Sequence, residues 1–490
     1  MKWLKYLVAV IFATVCMVSA KAKVGLPSLM SSDMVLQRNA EVNIWGKAKP
    51  GAKVSVVPSW SGKTYIAKAD KNGRWIIKIA TTDAGGPYTL TISDGEPVEL
   101  KGVMLGEVWV CGGQSNMEMQ VHGFMHQAVH GAVDAITDAK RYPDMRLFTV
   151  GRNGSGELAD DCQGEWLKPT PKSVADFSAV AYFFGSMLSK VLDVPIGLIV
   201  SCWGDSPVET WMDEATFNSV EGINREASLK RTAPYQKVNN LYNGMINPII
   251  HHTAKGFIWY QGETNRAYPD DYAKLLPAMI GNWRQKWGNN DMPFYMVQIA
   301  PYRYEGNSGC SLPLFIEAQY KVADSVRKVA VAATTDVGNE LAIHPGHKRE
   351  VGDRLAFLAL ANDYGVEGLP LPAPRYKSMT VDNNKVTITF TNLQEDPDWW
   401  NGNAFHTYLD DRYIRPVGFE IAGEDRVFYP AKGGFGHGVN TVELYSDSVP
   451  HPVAVRYYFR NFVRDANVKT SLGQPLVPFR TDNWPIDNNK

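Results

Sequence analysis

The chain has 490 residues with 50 basic and 51 acidic side chains, long enough for two or three domains each with its own core, and it has no basic run that would track a phosphate backbone. Nucleic acid is thus not an expected partner. Beyond the first 20 residues no apolar run approaches the roughly 20 residues that cross a bilayer, and five scattered cysteines suit neither a disulfide scaffold nor a zinc site.

In chain order, Met1-Lys-Trp-Leu-Lys5 is basic, Tyr6 to Val18 is apolar, and Val18-Ser-Ala20 offers small residues where a signal peptidase reads. Residues 1–20 are expected to be removed; taking Lys2 and Lys5 from 50 basic side chains leaves 48 against 51 acidic ones. A soluble exported protein, periplasmic or extracellular, is the expectation. A lipid anchor on Cys16 is the alternative, disfavoured by the bulk of Val15 before it.

Residues 24–100 read as short strands between turns: Val42-Asn-Ile-Trp45, Lys53-Val-Ser-Val-Val57, Trp75-Ile-Ile-Lys-Ile79 and Tyr88-Thr-Leu-Thr-Ile92. Alternation at this spacing marks a small β-sandwich. From Gly106 to about Asn362 the pattern changes to strand and helix in turn, which implies a parallel sheet covered by helices on both faces. Its expected strands are Val108–Cys111, Pro195–Ser201, Gly256–Tyr260, Pro293–Ile299 and Val329–Ala333; its helices include Met117–His130, Ser178–Leu192 and Glu350–Ala361. Ligands of such sheets bind beyond the carboxyl ends of the strands. After the Pro-rich residues 369–374 strands return at Val386–Phe390, Pro416–Ile421 and Thr441–Leu444. Cys111 and Cys202 end neighbouring strands and are expected as buried thiols, with a disulfide as the alternative.

Val108–Cys111 runs straight into Gly112-Gly-Gln-Ser115, which presents Ser115 on a tight turn at a strand end with helix-start amides behind it. That arrangement suits a nucleophile, whose base would be a histidine able to return the proton to the leaving alcohol. Among ten histidines, His344 in Ile343-His-Pro-Gly-His347 lies between the last core strand and a helix. His347 is its nearest competitor. His122, His126 and His130 fall at i, i+4, i+8, but no carboxylate or cysteine completes a metal set, so no metal is expected.

Gly113-Gln-Ser-Asn-Met117 resembles the first block of the SGNH hydrolases, in the form found in the sialate O-acetylesterase family. Asp336-Val-Gly338 and Ile343-His-Pro345 resemble the segment bearing that family's catalytic histidine, which maps onto His344. Ser201-Cys-Trp-Gly204 and Trp259-Tyr-Gln-Gly-Glu-Thr-Asn265 resemble two further blocks, and Met34-Val-Leu-Gln-Arg38 with Gly86-Pro-Tyr88 is similar to the family's N-terminal β-domain. The resemblance implies an α/β fold, with an SGNH (flavodoxin-like) three-layer core over 106–364 and sandwich-like β-regions over 21–105 and 365–490. It implies oxyanion donors from Ser115, Gly204 and Gln261. Asn265 and Trp203 are weaker candidates for substrate binding, and Glu263 is expected as a buried structural acid. The aspartate usual two or three residues before the histidine is missing, since Ala342 and Leu341 stand there. A Ser115–His344 dyad is therefore expected, with Glu340 and Asp336 as candidates for a third member. Trp399-Trp400 is a candidate sugar platform or simple packing.

What the resemblance implies is an exported, cofactor-free serine esterase that removes O-acetyl groups from carbohydrate, with O-acetylated sialic acid first and acetylxylan or other plant polysaccharide as the alternative. A non-catalytic carbohydrate-binding protein is the rival from another class, and a serine peptidase a third. Loss of Ser115, Gly204, Gln261 or His344 would be the simplest route to a decayed core. All four are intact.

Overall fold

A computed structural model of the chain describes residues 23–370, 372–393, 405–407, 415–436 and 440–486. Residues 1–20 and Trp399-Trp400 lie outside them.

Among residues 24–113 the expected strands form. Glu41–Lys47 pairs antiparallel with Arg74–Ala80, while Lys53–Pro58, Tyr65–Lys68 and Gly85–Ser93 build a second antiparallel ladder. Arg74–Ala80 alternates exposed and buried along its length, the signature of a strand with one wet face. Ile77 and Ile79 point from it into a core with Val42, Ile44, Val54 and Val56.

The second ladder continues into strand β1, Pro97–Gly113, which serves two sheets. Its first half pairs antiparallel with Gly85–Ser93. Its second half is buried without a break and lies in the central sheet. That sheet also holds β2 (Met145–Thr149), β3 (Trp166–Leu167), β4 (Ile196–Cys202), β5 (Gly256–Tyr260), β6 (Phe294–Val297) and β7 (Val329–Ala332), in the order β7-β6-β5-β1-β4-β2-β3. All neighbours are parallel except β2 and β3. Continuous apolar strands suit a sheet covered on both faces.

Helices α1 (Ser115–Glu118), α2 (Ala179–Leu192), α3 (Pro269–Trp287), α4 (Ser311–Ser325) and α5 (Lys348–Tyr364) accompany it. Ser178 caps α2 by accepting from the amide of Ala181 at 3.2 Å. Val180, Phe183, Phe184 and Leu188 of α2 share one buried cluster with Val351, Leu355 and Ala359 of α5. Trp259 and Trp283 belong to a second cluster, continuous with the N-terminal sandwich.

The helix expected over Met117–His130 stops at Glu118. Gly123 has φ +89, with a Cβ there 2.3 Å from the Gln127 carbonyl oxygen, and His126 has φ +62. The amides of Val121 and His122 pair with the carbonyls of Phe177 and Ala175. Tertiary pairing has overridden a helix-compatible composition.

Among the described residues the C-terminal strands form two four-stranded sheets, Arg375–Asp382, Lys385–Thr391, Thr441–Tyr445 and Lys432–Phe435 in one, Phe428–Pro430, Phe419–Ala422, Ala454–Tyr457 and Phe479–Arg480 in the other, beside a two-stranded pair of Phe405–Thr407 with Val468–Thr470. Ile388, Ile421, Val442 and Val455 share the core they enclose. Cys111, Cys162, Cys202 and Cys310 are free thiols, and burial pushes those of Cys111 and Cys202 upward.

Candidate active site

Strand register places the rim. Gly113 stands on one rung with Cys202 of β4 and Tyr260 of β5, so three neighbouring strands end level, and Ser115, Gly204 and Gln261 leave within two residues of that rung. Glycine is required at 113: its φ is +144, and a Cβ would lie 2.2 Å from the Tyr260 carbonyl oxygen. The Gln114 amide donates to that same carbonyl at 3.0 Å. Its side-chain oxygen accepts from the amides of Gly262 at 3.2 Å and Thr264 at 3.4 Å. The turn that carries Ser115 is thereby tied to the loop after β5.

Ser115 is partly exposed while Gln114 and Asn116 beside it are buried. It opens α1, where a backbone amide has no intrahelical acceptor. Gly204 faces it: a Cβ there would sit 3.3 Å from the Ser115 Cβ and 3.2 Å from Glu118 Oε2. The Gly204 amide donates to Glu118 Oε2 at 2.8 Å, and Arg152 holds the other carboxylate oxygen from Nε at 2.8 Å. Trp203 is half-buried, stacked on Tyr235 at 5.3 Å, with the Arg152 guanidinium 5.4 Å from its ring centre.

Gln261 turns its amide into the loop after β5. It is fully buried, and its amide nitrogen donates to the Ser206 carbonyl at 3.1 Å and to Asn265 Oδ1 at 2.7 Å, which commits both hydrogens. Asn265 is likewise internal. It accepts from the Val208 amide and donates to Glu209, each at 2.9 Å, and so braces the loop.

His344 is partly exposed, with its ring edge-on to Phe124 at 5.2 Å. Its Nδ1 lies 2.7 Å from Gln127 Oε1. An amide oxygen only accepts, so Nδ1 carries the hydrogen and Nε2 keeps its lone pair. Burial, helped by the Lys348 charge, pushes the imidazole down to about 4. Neither candidate for a third member reaches it. Glu340 accepts from Asn307 and Arg464, each at 2.7 Å, and Asp336 makes a two-pronged pair with Arg354, both contacts 2.7 Å. His347 binds Glu350 at 3.0 Å, and the carboxylate raises its imidazole.

Two chain segments meet through their neighbours: Asn116 Nδ2 donates to the Ile343 carbonyl at 3.0 Å. Gln127 and this use of Asn116 were not foreseen. The first carries no local signal, being one glutamine in an irregular loop 217 residues from its partner; the second sits inside the serine motif, whose asparagine was an available clue. A cleft of about 690 Å³ lined by Lys47, Arg74, Trp75, Asp160 and His251 contains none of these residues.

Residues 105–361 match the family described as carbohydrate esterase, sialic acid-specific acetylesterase. A solved carbohydrate acetylesterase from Xanthomonas citri is 34% identical with a TM-score of 0.83, covering 94% of this chain and 100% of that one. The sialate O-acetylesterases of Homo sapiens and Pongo abelii are each 28% identical over 409 residues, 75% of this chain and 76% of theirs. The fold and these matches define a class, the carboxylic ester hydrolases with an SGNH-type core. Within it, the chain belongs to the carbohydrate esterase family of sialic acid-specific acetylesterases, whose match spans just over half its length.

Proposed function

We propose that this chain is an exported esterase that removes O-acetyl groups from carbohydrate, with O-acetylated sialic acid as its substrate, through an acetyl-serine intermediate. One observation carries the reading: within the family match, a half-exposed serine on a strand-end turn faces Gly204, and His344 carries its hydrogen on Nδ1, with its other nitrogen free to act as base. The basic, apolar and small-residue order of residues 1–20 supports export.

In this scheme Ser115 Oγ attacks the acetyl carbonyl while His344 Nε2 takes its proton. Gln127 holds the ring and its tautomer without adding charge, as a neutral third member does. The tetrahedral oxyanion is met by the Ser115 amide and, once Glu118 yields its place, by the Gly204 amide. His344 then passes its proton to the departing sugar oxygen. Water repeats the sequence on the acetyl-serine, so protons balance without a metal or organic cofactor.

A wider carbohydrate substrate is the second reading, favoured by the 34% identity to a carbohydrate acetylesterase. Acetate release from 9-O-acetyl sialic acid, acetylated xylan and a chromogenic acetate decides between them. Ser115→Ala is expected to abolish release from all three with the fold intact. Retained turnover in that variant would refute the serine mechanism, and activity on xylan alone would refute the sialate assignment.

A further inference from the structure

Beneath the rim lies a polar cluster that the ester chemistry does not call on. Asn116 and Lys348 are completely buried and Glu263 nearly so. The Asn116 side chain uses every polar atom it has. Nδ2 donates to Glu263 Oε1 at 2.6 Å and to the Ile343 carbonyl at 3.0 Å, while Oδ1 accepts from Lys348 Nζ at 2.5 Å. These partners come from separate segments: Glu263 follows β5, Ile343 precedes His344, and Lys348 opens α5. One amide thus clamps the serine turn to both the loop after β5 and the histidine loop.

A buried lysine and a buried glutamate are costly to hold unless paired and hydrogen-bonded, yet here they meet only through the asparagine. Glu263 Oε2 and the Tyr260 hydroxyl have no hydrogen-bond partner among the described residues, and the Lys348 ammonium stands 5.4 Å from the Tyr260 ring centre. Packing alone would be served by apolar side chains of the same volume. What the polar set adds is a fixed geometry between two segments that each carry one reacting group.

We propose that Asn116 is a positioning residue, which through its contacts to Glu263, Lys348 and Ile343 sets the separation of the Ser115 hydroxyl from the His344 imidazole. This rests on the serine mechanism proposed above. Misplacement of about 1 Å between reacting groups costs on the order of 100-fold in rate, so the effect belongs in kcat and not in KM. Lys348 has a second reach. Its charge is one cause of the lowered His344 imidazole. The charged and titratable groups around the cluster are Glu263, Tyr260 and His344, with Arg266 and Tyr304 beyond Glu263.

The test compares wild type, Asn116→Asp, the double variant Asn116→Asp with Glu263→Gln, and Lys348→Met, by chromogenic acetate kinetics and by the rate at which a fluorophosphonate labels Ser115. Asn116→Asp keeps the acceptor for Lys348 and replaces the two donors by an acceptor; exchanging Glu263 for glutamine restores one donor across the contact. The expected result is a roughly 100-fold fall in kcat and labelling rate with KM within about 2-fold, and recovery of at least about 10-fold in the double variant. A folded Asn116→Asp that labels within about 2-fold of wild type overturns the proposal, as does a double variant no faster than the single one. If circular dichroism shows Asn116→Asp unfolded, Lys348→Met decides. That variant removes the donor to Asn116 Oδ1; a fall of about tenfold or more in kcat and labelling rate with KM within about 2-fold supports the clamp, and any smaller fall overturns it. Wild type that neither labels nor releases acetate would instead refute the serine mechanism.

Discussion

The two halves of the candidate site are built by different means. The serine edge rests on main-chain pairing: Gly113, Cys202 and Tyr260 share a rung, and the turn is pinned by the Gln114 amide on Tyr260. The histidine loop between Ala332 and Lys348 has no strand or helix. Two main-chain bonds, Asn339 to Pro301 and His130 to Gly346, are joined there by side chains, with Asn339 Oδ1 accepting from the amides of Leu341 and Ala342 at 2.9 and 3.1 Å and Gln127 fixing the ring. A sheet edge is specified by many cooperative bonds, a side-chain-held loop by few. Single substitutions on the histidine side should therefore act on geometry and charge with little buffering.

The largest effect is expected at the base itself. His344→Ala should lower kcat/KM on a chromogenic acetate by about 10⁴-fold, the scale on which triad members act; a loss under tenfold would move the base elsewhere, with His347 next to be replaced. On the serine edge, Gly204→Ala sets a methyl 3.3 Å from the Ser115 Cβ and should cost about 100-fold in kcat, with a melting temperature close to wild type. A smaller loss, about tenfold, is expected for Gln127→Ala. Gln127→Glu sharpens the contrast through pH. With the imidazole pushed down to about 4, its neutral, base-competent form persists above that, so wild-type kcat/KM should fall only as pH drops through about 4. A carboxylate at 127 favours the imidazolium, and the acid limb should climb by about one pH unit or more; a limb that stays put would remove Gln127 from its place beside the ring. Smallest of all, Glu340→Gln and Asp336→Asn should each change kcat/KM by less than about 2-fold. Asp336→Asn should still destabilise by roughly 3 kcal/mol in a denaturant melt, because it strips the buried Arg354 of its partner.

This contrast also explains how far the sequence could be read. Continuous apolar runs and the glycines closing β1 gave the sheet and the Ser115 turn, since a strand ending in Gly112-Gly113 carries its own signal. A helix over Met117–His130 was expected from composition, but its amides were spoken for by Phe177 and Ala175, which no local pattern reveals. The turn of the Gln261 amide is illegible for the same reason. Its motif places it at the rim, and only the positions of Ser206 and Asn265 turn its amide inward. Glu263, by contrast, was expected buried and is, with the Asn116 side chain donating to it. Motifs locate backbone; which way a polar side chain turns is settled by residues far along the chain.

Because β1 is one unbroken run from Pro97 to Gly113, the β-region and the α/β core are not beads on a string. The boundary expected between residues 105 and 106 falls in mid-strand. Trimming the protein to its α/β portion would saw through the beam on which Ser115 is mounted and strip Gly85–Ser93 from its edge. The N-terminal β-region is thus better thought of as the foundation of the reaction centre than as an attachment to it.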